Sequence, residues 1–338
     1  MKEKVMFYIF GYSDYMKNAI DEILSNNNVH YFGLFKGENL IERIIHRIFI
    51  SRYTKFFSKL IMPVWAIRYL ENIKIESNVT PIFIMYEVNP LSNKVQWISK
   101  MKKIYPKLKV AYIFTNIITD HNRWRLEQIK QNSKLYDTVI TFNKSDAEKY
   151  NMVHIEGVFS QKKPSQCAFD KAEESDVYFC GLEKGRLPDI VATYEALVQK
   201  GIKCNFHVIY ANKSEQKYAG KIHYHDELIN NEEMLAGVIK SKCVLELMVD
   251  KTQPGSSLRM CEAVVYQKKL LTNNRFANEK PYYNERQMLI FEDPKDIDAD
   301  FIMENVDKSE LDDPSILSPN RMLDMIERAV FNENFKTS

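Results

Sequence analysis

The sequence predicts an α/β protein of two halves, each a parallel sheet with crossover helices. Three observations predict it. At 338 residues the chain exceeds one ordinary core and suits two domains of roughly 150 to 180 residues. Strand-length apolar runs alternate with helix-length amphipathic segments from end to end, the pattern of parallel strands joined by helices. A polar stretch without periodicity, 161–175, separates the two series and is expected to be a linker.

In the first half, 1–160, strands are expected at 5–10, 29–35, 81–87, 109–114 and 138–142, with helices over 15–25, 92–105 and 123–133 and a short one after Asn143. The first of these apolar runs is too short for a signal peptide and ends in a turn at Gly11, so it reads as a buried strand. The second domain, 176–318, has strand candidates at 177–180, 205–210, 222–224, 244–248, 270–272 and 288–291 and helices at 187–200, 232–241 and 257–266. The amphipathic C-terminal segment, 319–338, is expected to pack back on the first domain.

Composition narrows the function. A hydrophobic fraction of 45%, a charged fraction of 27% and a net charge of +2 are those of a soluble globular protein and argue against a dedicated nucleic-acid binder. The five cysteines form no C-x-x-C pair and no metal-like cluster with the seven histidines, which suits a reducing cytoplasm. No apolar stretch approaches the roughly 18 residues that span a bilayer.

Two segments of the second half carry the chemistry. Residues 176–186 run from an apolar strand into a loop with Gly181, Lys184, Gly185 and Arg186, where glycine admits close backbone approach and the cations suit a diphosphate. In Gly255-Ser256-Ser257-Leu258-Arg259-Met260-Cys261-Glu262-Ala263, a small-residue loop opens a helix. Its first N–H groups suit phosphate oxygens, and Glu262, about a turn in, suits ribose hydroxyls. Ser256 or Ser257 as an ordinary helix cap, with Glu262 solvated, is the alternative. Parallel strands would bring both loops to one sheet edge.

On these two blocks and the elements between them, the chain resembles the GT-B nucleotide-sugar glycosyltransferases, in particular bacterial enzymes that assemble capsular and other surface polysaccharides. The resemblance implies two Rossmann-like domains facing across a cleft, with Gly181, Lys184 and Arg186 meeting the donor diphosphate, Ser256, Ser257 and Leu258 offering it backbone N–H groups, and Glu262 holding the ribose. Arg259 would aid the diphosphate or hold Glu262, and His223 would border the base. Many retaining members carry a further glutamate eight residues before the ribose-binding one. Here that position is Pro254, and Glu246 lies too far upstream to take its place, so the stereochemistry stays open.

The acceptor and any catalytic base are expected on first-half loops: 11–14 with Asp14, 87–89 with Glu87, and 115–123 with Asp120 and His121. Asp14 and Asp120 are equally fit to cap helices. Helix N-termini and cations can stabilise a leaving diphosphate, so no obligatory metal or cofactor is expected beyond the nucleotide-sugar substrate. Between 43 and 68, Arg43, Arg47, Arg52, Lys55, Lys59 and Arg68 occur with no acid, interleaved with aromatics including Trp65. That pattern suits an anionic membrane face and a polyprenyl-diphosphate-linked or other saccharide acceptor, or else a helical excursion with one basic side. The sequence therefore points to a cytoplasmic, peripherally membrane-associated glycosyltransferase. A catalytically silent subunit of the same fold is the alternative, and a Rossmann-type sugar-nucleotide-modifying enzyme lacks its glycine fingerprint after the first strand.

Overall fold

The computed structural model describes residues 4–11, 13–33, 44, 75–76, 78–249, 257–311 and 313–332. Arg43, Arg47, Arg52, Lys55, Lys59 and Trp65, expected to form a membrane or acceptor surface, lie outside these, as do Pro254, Gly255 and Ser256. The chain divides into two compact units, Met1–Ile155 with Pro319–Ser338, and Glu156–Ser318.

The first unit runs β1 (Lys4–Phe10), α1 (Asp14–Ala19), β2 (Val29–Phe32), β3 (Val79–Tyr86), α2 (Val95–Ile104), β4 (Lys109–Phe114), α3 (Arg123–Gln131), β5 (Thr138–Thr141), α4 (Lys144–Tyr150) and β6 (Val153–His154). Its sheet has the order β2-β1-β3-β4-β5-β6, with every pairing parallel. All eight residues of β3 are buried, as an apolar run covered on both faces requires. Phe10, Phe83 and Trp97 meet at ring separations of 5.0 to 5.8 Å and form the centre of one layer of this core.

The second unit runs α5 (Gln166–Lys171), β7 (Ser175–Leu182), α6 (Leu187–Gln199), β8 (Cys204–Ile209), β9 (Ile222–His225), α7 (Asn231–Lys240), β10 (Ser241–Glu246), α8 (Leu258–Val265), β11 (Lys269–Thr272), β12 (Met288–Ile290) and α9 (Ala299–Met303). Its parallel sheet, β12-β11-β10-β7-β8-β9, has the Rossmann order. The chain winds outward from β7 through β8 and β9, then returns to β10 on the other side of β7. The crevice where ligands bind in such sheets therefore opens at the C-terminal ends of β7 and β10. A last helix, α10 (Pro319–Val330), belongs to the first unit. It buries Met322, Leu323, Ile326, Ala329 and Val330 along one stripe and places the Met322 sulfur 3.6 Å from the Tyr86 hydroxyl.

The stretch 161–175, expected as a linker, contains α5 inside the second unit. Ser165 caps it, its hydroxyl accepting from the Ala168 N–H at 3.4 Å, and it packs beside α7. A single helical turn and a half leaves too little periodicity to be seen in a polar sequence.

Where α7 crosses the sheet it does so at Gly237, and a Cβ there would stand 2.4 Å from the ring of the buried Tyr178. Alanine would favour the helix by up to about 1 kcal/mol, but forcing it into that contact costs about 1–3 kcal/mol. Gly237→Ala is therefore expected to lower the urea unfolding midpoint of the protein, against helix propensity.

Candidate functional site

At the crevice of the second unit, Gly181 lets the Arg186 side chain fold back over the end of β7. A Cβ at 181 would lie 2.8 Å from Arg186 Nη2. The guanidinium donates to the Leu182 carbonyl from Nη2 at 2.8 Å and from Nε at 3.2 Å, and Nη1 donates to the Leu247 carbonyl just past β10. Arg186 thus ties together the two strand ends that border the crevice. Between them, Lys184 is exposed and holds a left-handed backbone with φ of 47°, and Gly185 follows at 79°. Glu183 accepts from the Gly185 N–H at 2.9 Å and the Leu187 N–H at 3.3 Å, so the N-terminus of α6 carries a carboxylate of the chain itself.

Across the crevice, Ser257 caps α8, its hydroxyl accepting from the Met260 N–H at 3.2 Å, and Leu258 begins the helix half-exposed. Arg259 takes the second of the roles expected for it. It donates from Nη1 to Glu262, and from Nη2 to the Cys180 carbonyl at 2.8 Å, with the Met234 sulfur also 2.8 Å away. Glu262 is buried in this ion pair rather than solvated. Burial opposes the charge on Arg259 and the Glu262 carboxylate more than offsets it, which holds the guanidinium ionised. Glu246, which its strand position set apart in the sequence, closes the group. It is buried at the end of β10 and accepts from the Thr272 hydroxyl, and among the described residues its Oε1 has no hydrogen-bond partner. Burial pushes its carboxyl up, against the Ser257 and Thr272 hydroxyls and the nearby Arg186 and Arg259.

No protein-family model and no curated protein sequence matches this chain. Solved structures do. A UDP-forming α,α-trehalose-phosphate synthase from Burkholderia vietnamiensis matches over 98% of this chain and 100% of its own, at 10% identity and a TM-score of 0.56. A trehalose-6-phosphate synthase, OtsA, matches over 97% and 96% at 11% identity and 0.53. The corresponding UDP-forming enzyme from Burkholderia xenovorans matches over 97% and 96% at 10% identity and 0.51. At such identities the likeness speaks for the fold. The chain has the GT-B fold.

In the first unit of this GT-B chain, the corresponding crevice lies between β1 and β3. Asn89 closes it by donating to the Gly11 carbonyl at 2.7 Å. Glu87 is buried at the end of β3. Its Oε1 accepts from the Asn116 N–H at 2.9 Å, the Asn116 side chain at 2.6 Å and the Thr115 hydroxyl at 3.2 Å, while among the described residues Oε2 has no hydrogen-bond partner. Asp120 and His121 stand exposed ahead of α3. Asp120 is 91% exposed and pairs with Arg123 at 3.1 Å, and neither residue caps the helix, which begins after Asn122. Asp14 is the first residue of α1, and the cap there is Ser13, which accepts from the Met16 N–H at 3.1 Å.

His223 lies on β9 in an array that the sequence did not disclose. The His207 ring stacks between His223 and His225 at centroid distances of 4.8 and 5.2 Å, and His207 Nδ1 is 2.9 Å from His225 Nε2. A pocket of about 290 Å³ opens over them, walled by Lys171 and Glu173 near α5 and by Glu233 of α7, with Tyr178 and Asn205 on its floor. Alternation along β8 and β9 puts all three imidazoles on one face, which is legible only once the strands are in register. Burial, then His223 and His225, lowers His207 from 6.5 to about 4. Among the described residues no group of three or more His, Cys, Asp or Glu side chains is disposed to hold a metal ion.

Two stability outcomes follow from these contacts. Arg259→Leu leaves Glu262 buried without its partner and is expected to cost about 3–5 kcal/mol, and Arg259→Leu with Glu262→Met, which removes both charges, should recover much of that in urea unfolding. For His207, the ring is neutral in folded and unfolded chains above pH 6.5. As pH falls toward 4 the unfolded chain takes up a proton that the folded chain refuses, so stability is lost across that window. The unfolding midpoint should drop between pH 6.5 and pH 4, and less steeply in His207→Phe.

Proposed function

We propose that this chain is a glycosyltransferase that moves a sugar from a nucleoside-diphosphate donor to a saccharide or lipid-linked saccharide. The observation that carries the reading is the crevice of the second unit. The Arg186 guanidinium and the N-terminus of α8, which Arg259 ties to β7, gather at the switch point of a Rossmann-ordered sheet. Such a place suits a diphosphate, because helix N–H groups and fixed cations offset charge that builds on the leaving group as the glycosidic bond breaks. Lys184, exposed on the loop between β7 and α6, adds a cation free to reach the same phosphates. Gly181 keeps the strand end low enough for Arg186 to lie over it.

Acceptor binding is assigned to the first-unit edge, with Glu87, Asp14, Asp120 and His121 as the groups that can orient an acceptor hydroxyl or take its proton. The basic and aromatic residues between 43 and 68 support an acceptor held at an anionic membrane surface, as in the assembly of surface polysaccharide on the inner face of a cell membrane. Transfer is expected to need no metal, the cations of the crevice serving the diphosphate.

The matched trehalose-phosphate synthases are UDP-forming, which makes UDP the first nucleotide to test. In a thermal-shift panel of UDP, GDP, CDP and ADP with their sugars, at least one diphosphate is expected to raise the melting temperature. A ligand at a hundred times its Kd stabilises by about 2.7 kcal/mol. Sugar transfer should persist in EDTA. A melting temperature that no nucleotide moves would sink the reading.

A further inference from the structure

Tyr210 follows the last residue of β8 and holds a left-handed backbone with φ of 62°, a conformation that a bulky side chain rarely adopts. Its N–H donates to the His225 carbonyl at 2.8 Å, so the turn is tied to the end of β9 on one side. On the other side the Glu183 N–H donates to the Ile209 carbonyl at 2.9 Å, which puts Tyr210 directly beside the loop that carries Lys184 and Arg186. The residue is 55% exposed, and among the described residues its side chain makes neither a ring contact nor a hydrogen bond. Tyr218 shows what a structural tyrosine in the same backbone region looks like. Its φ is 56°, its ring lies 5.5 Å from Tyr194, and its hydroxyl donates to Glu195 at 2.8 Å. No such packing explains Tyr210. The next loop along the edge, after β9, carries Leu228, 68% exposed.

Strained backbone that packing does not explain concentrates where a ligand is handled. We propose that Tyr210 is the stacking platform for the base of the donor nucleotide, a reading that rests on the donor site argued above. The diphosphate groups lie at the ends of β7 and β10, and β8 ends one strand outward, about 5 Å away. A nucleoside extending from the diphosphate toward β9 brings its base over this edge. There an exposed aromatic ring offers a flat apolar face to any purine or pyrimidine. The left-handed turn is retained because it serves that contact and not the fold.

The test is calorimetric titration of the full chain with UDP, GDP, CDP, ADP and inorganic pyrophosphate. Relative to the wild type, Tyr210→Ala should weaken the best nucleoside diphosphate by about tenfold, as loss of a base-stacking ring does, and leave pyrophosphate unchanged. Tyr210→Phe keeps the ring and should restore most of the affinity. Tyr210→Asn, better suited to the left-handed backbone, should hold or raise the melting temperature while losing the affinity. Equal binding by wild type and Tyr210→Ala would overturn the platform alone, as would a parallel loss of pyrophosphate and nucleotide affinity. A wild type that binds no nucleoside diphosphate would overturn the donor reading and the platform with it.

Discussion

The second unit depends on one arginine, paired with a buried carboxylate. Arg259 reaches from α8 to its own Glu262, to the backbone of β7 at Cys180 and to the sulfur of Met234 on α7, so three elements meet at one side chain. A buried ion pair of this kind adds little net stability over an apolar pair of the same volume, because desolvation offsets the attraction. What it supplies is position. The two phosphate-suited features, the α8 N-terminus and the Gly181–Arg186 loop, come from chain segments far apart, and Arg259 spans from the helix to the strand that leads into the loop. Arg186 makes the same kind of link one layer nearer the edge, from the β7–α6 loop to the carbonyls at the ends of β7 and β10. Both arginines donate to backbone carbonyls, Arg186 at the ends of β7 and β10 and Arg259 within β7.

Each unit has a buried carboxylate at the same topological place, the end of the strand that returns beside the first one. Glu87 directly follows β3 and Glu246 ends β10, and among the described residues each has one oxygen engaged and the other without a hydrogen-bond partner. An unpartnered buried carboxylate oxygen is costly, and parallel α/β sheets concentrate such costs at the C-terminal edge where ligands are bound. The aromatic layer around Phe10, Phe83 and Trp97 and the wholly buried β3 lie a few residues from Glu87.

The strands were legible from the sequence because each is a short apolar run between turn residues, and the long helices because their apolar stripes recur at three and four residues. Short elements were not. The helix at Gln166–Lys171 and the two-residue strand Val153–His154 are too brief to show a period. At the site, the residue types of the Gly181–Arg186 loop and of the α8 N-terminus were readable, since glycines, hydroxyls and cations carry their chemistry in their identity. Their burial was not. Glu262 reads as a solvated or ribose-facing acid in the sequence, with Arg259 able to hold it, and only the packing of α8 against β7 buries the carboxylate in that pair.

By itself the sequence determined the class of the protein: two α/β halves, parallel strands, and phosphate-suited loops in the second half. Local patterns suffice for that, because strand burial and helix amphipathicity are set by neighbouring residues. Tertiary structure alone decided what depends on residues distant in the chain meeting across strands. It stacked His207 between His223 and His225, placed Glu246 beside Thr272 and the arginines, and held Tyr210 in a left-handed turn with an idle ring. Register between parallel strands is what creates these meetings, and register is a property of the assembled sheet.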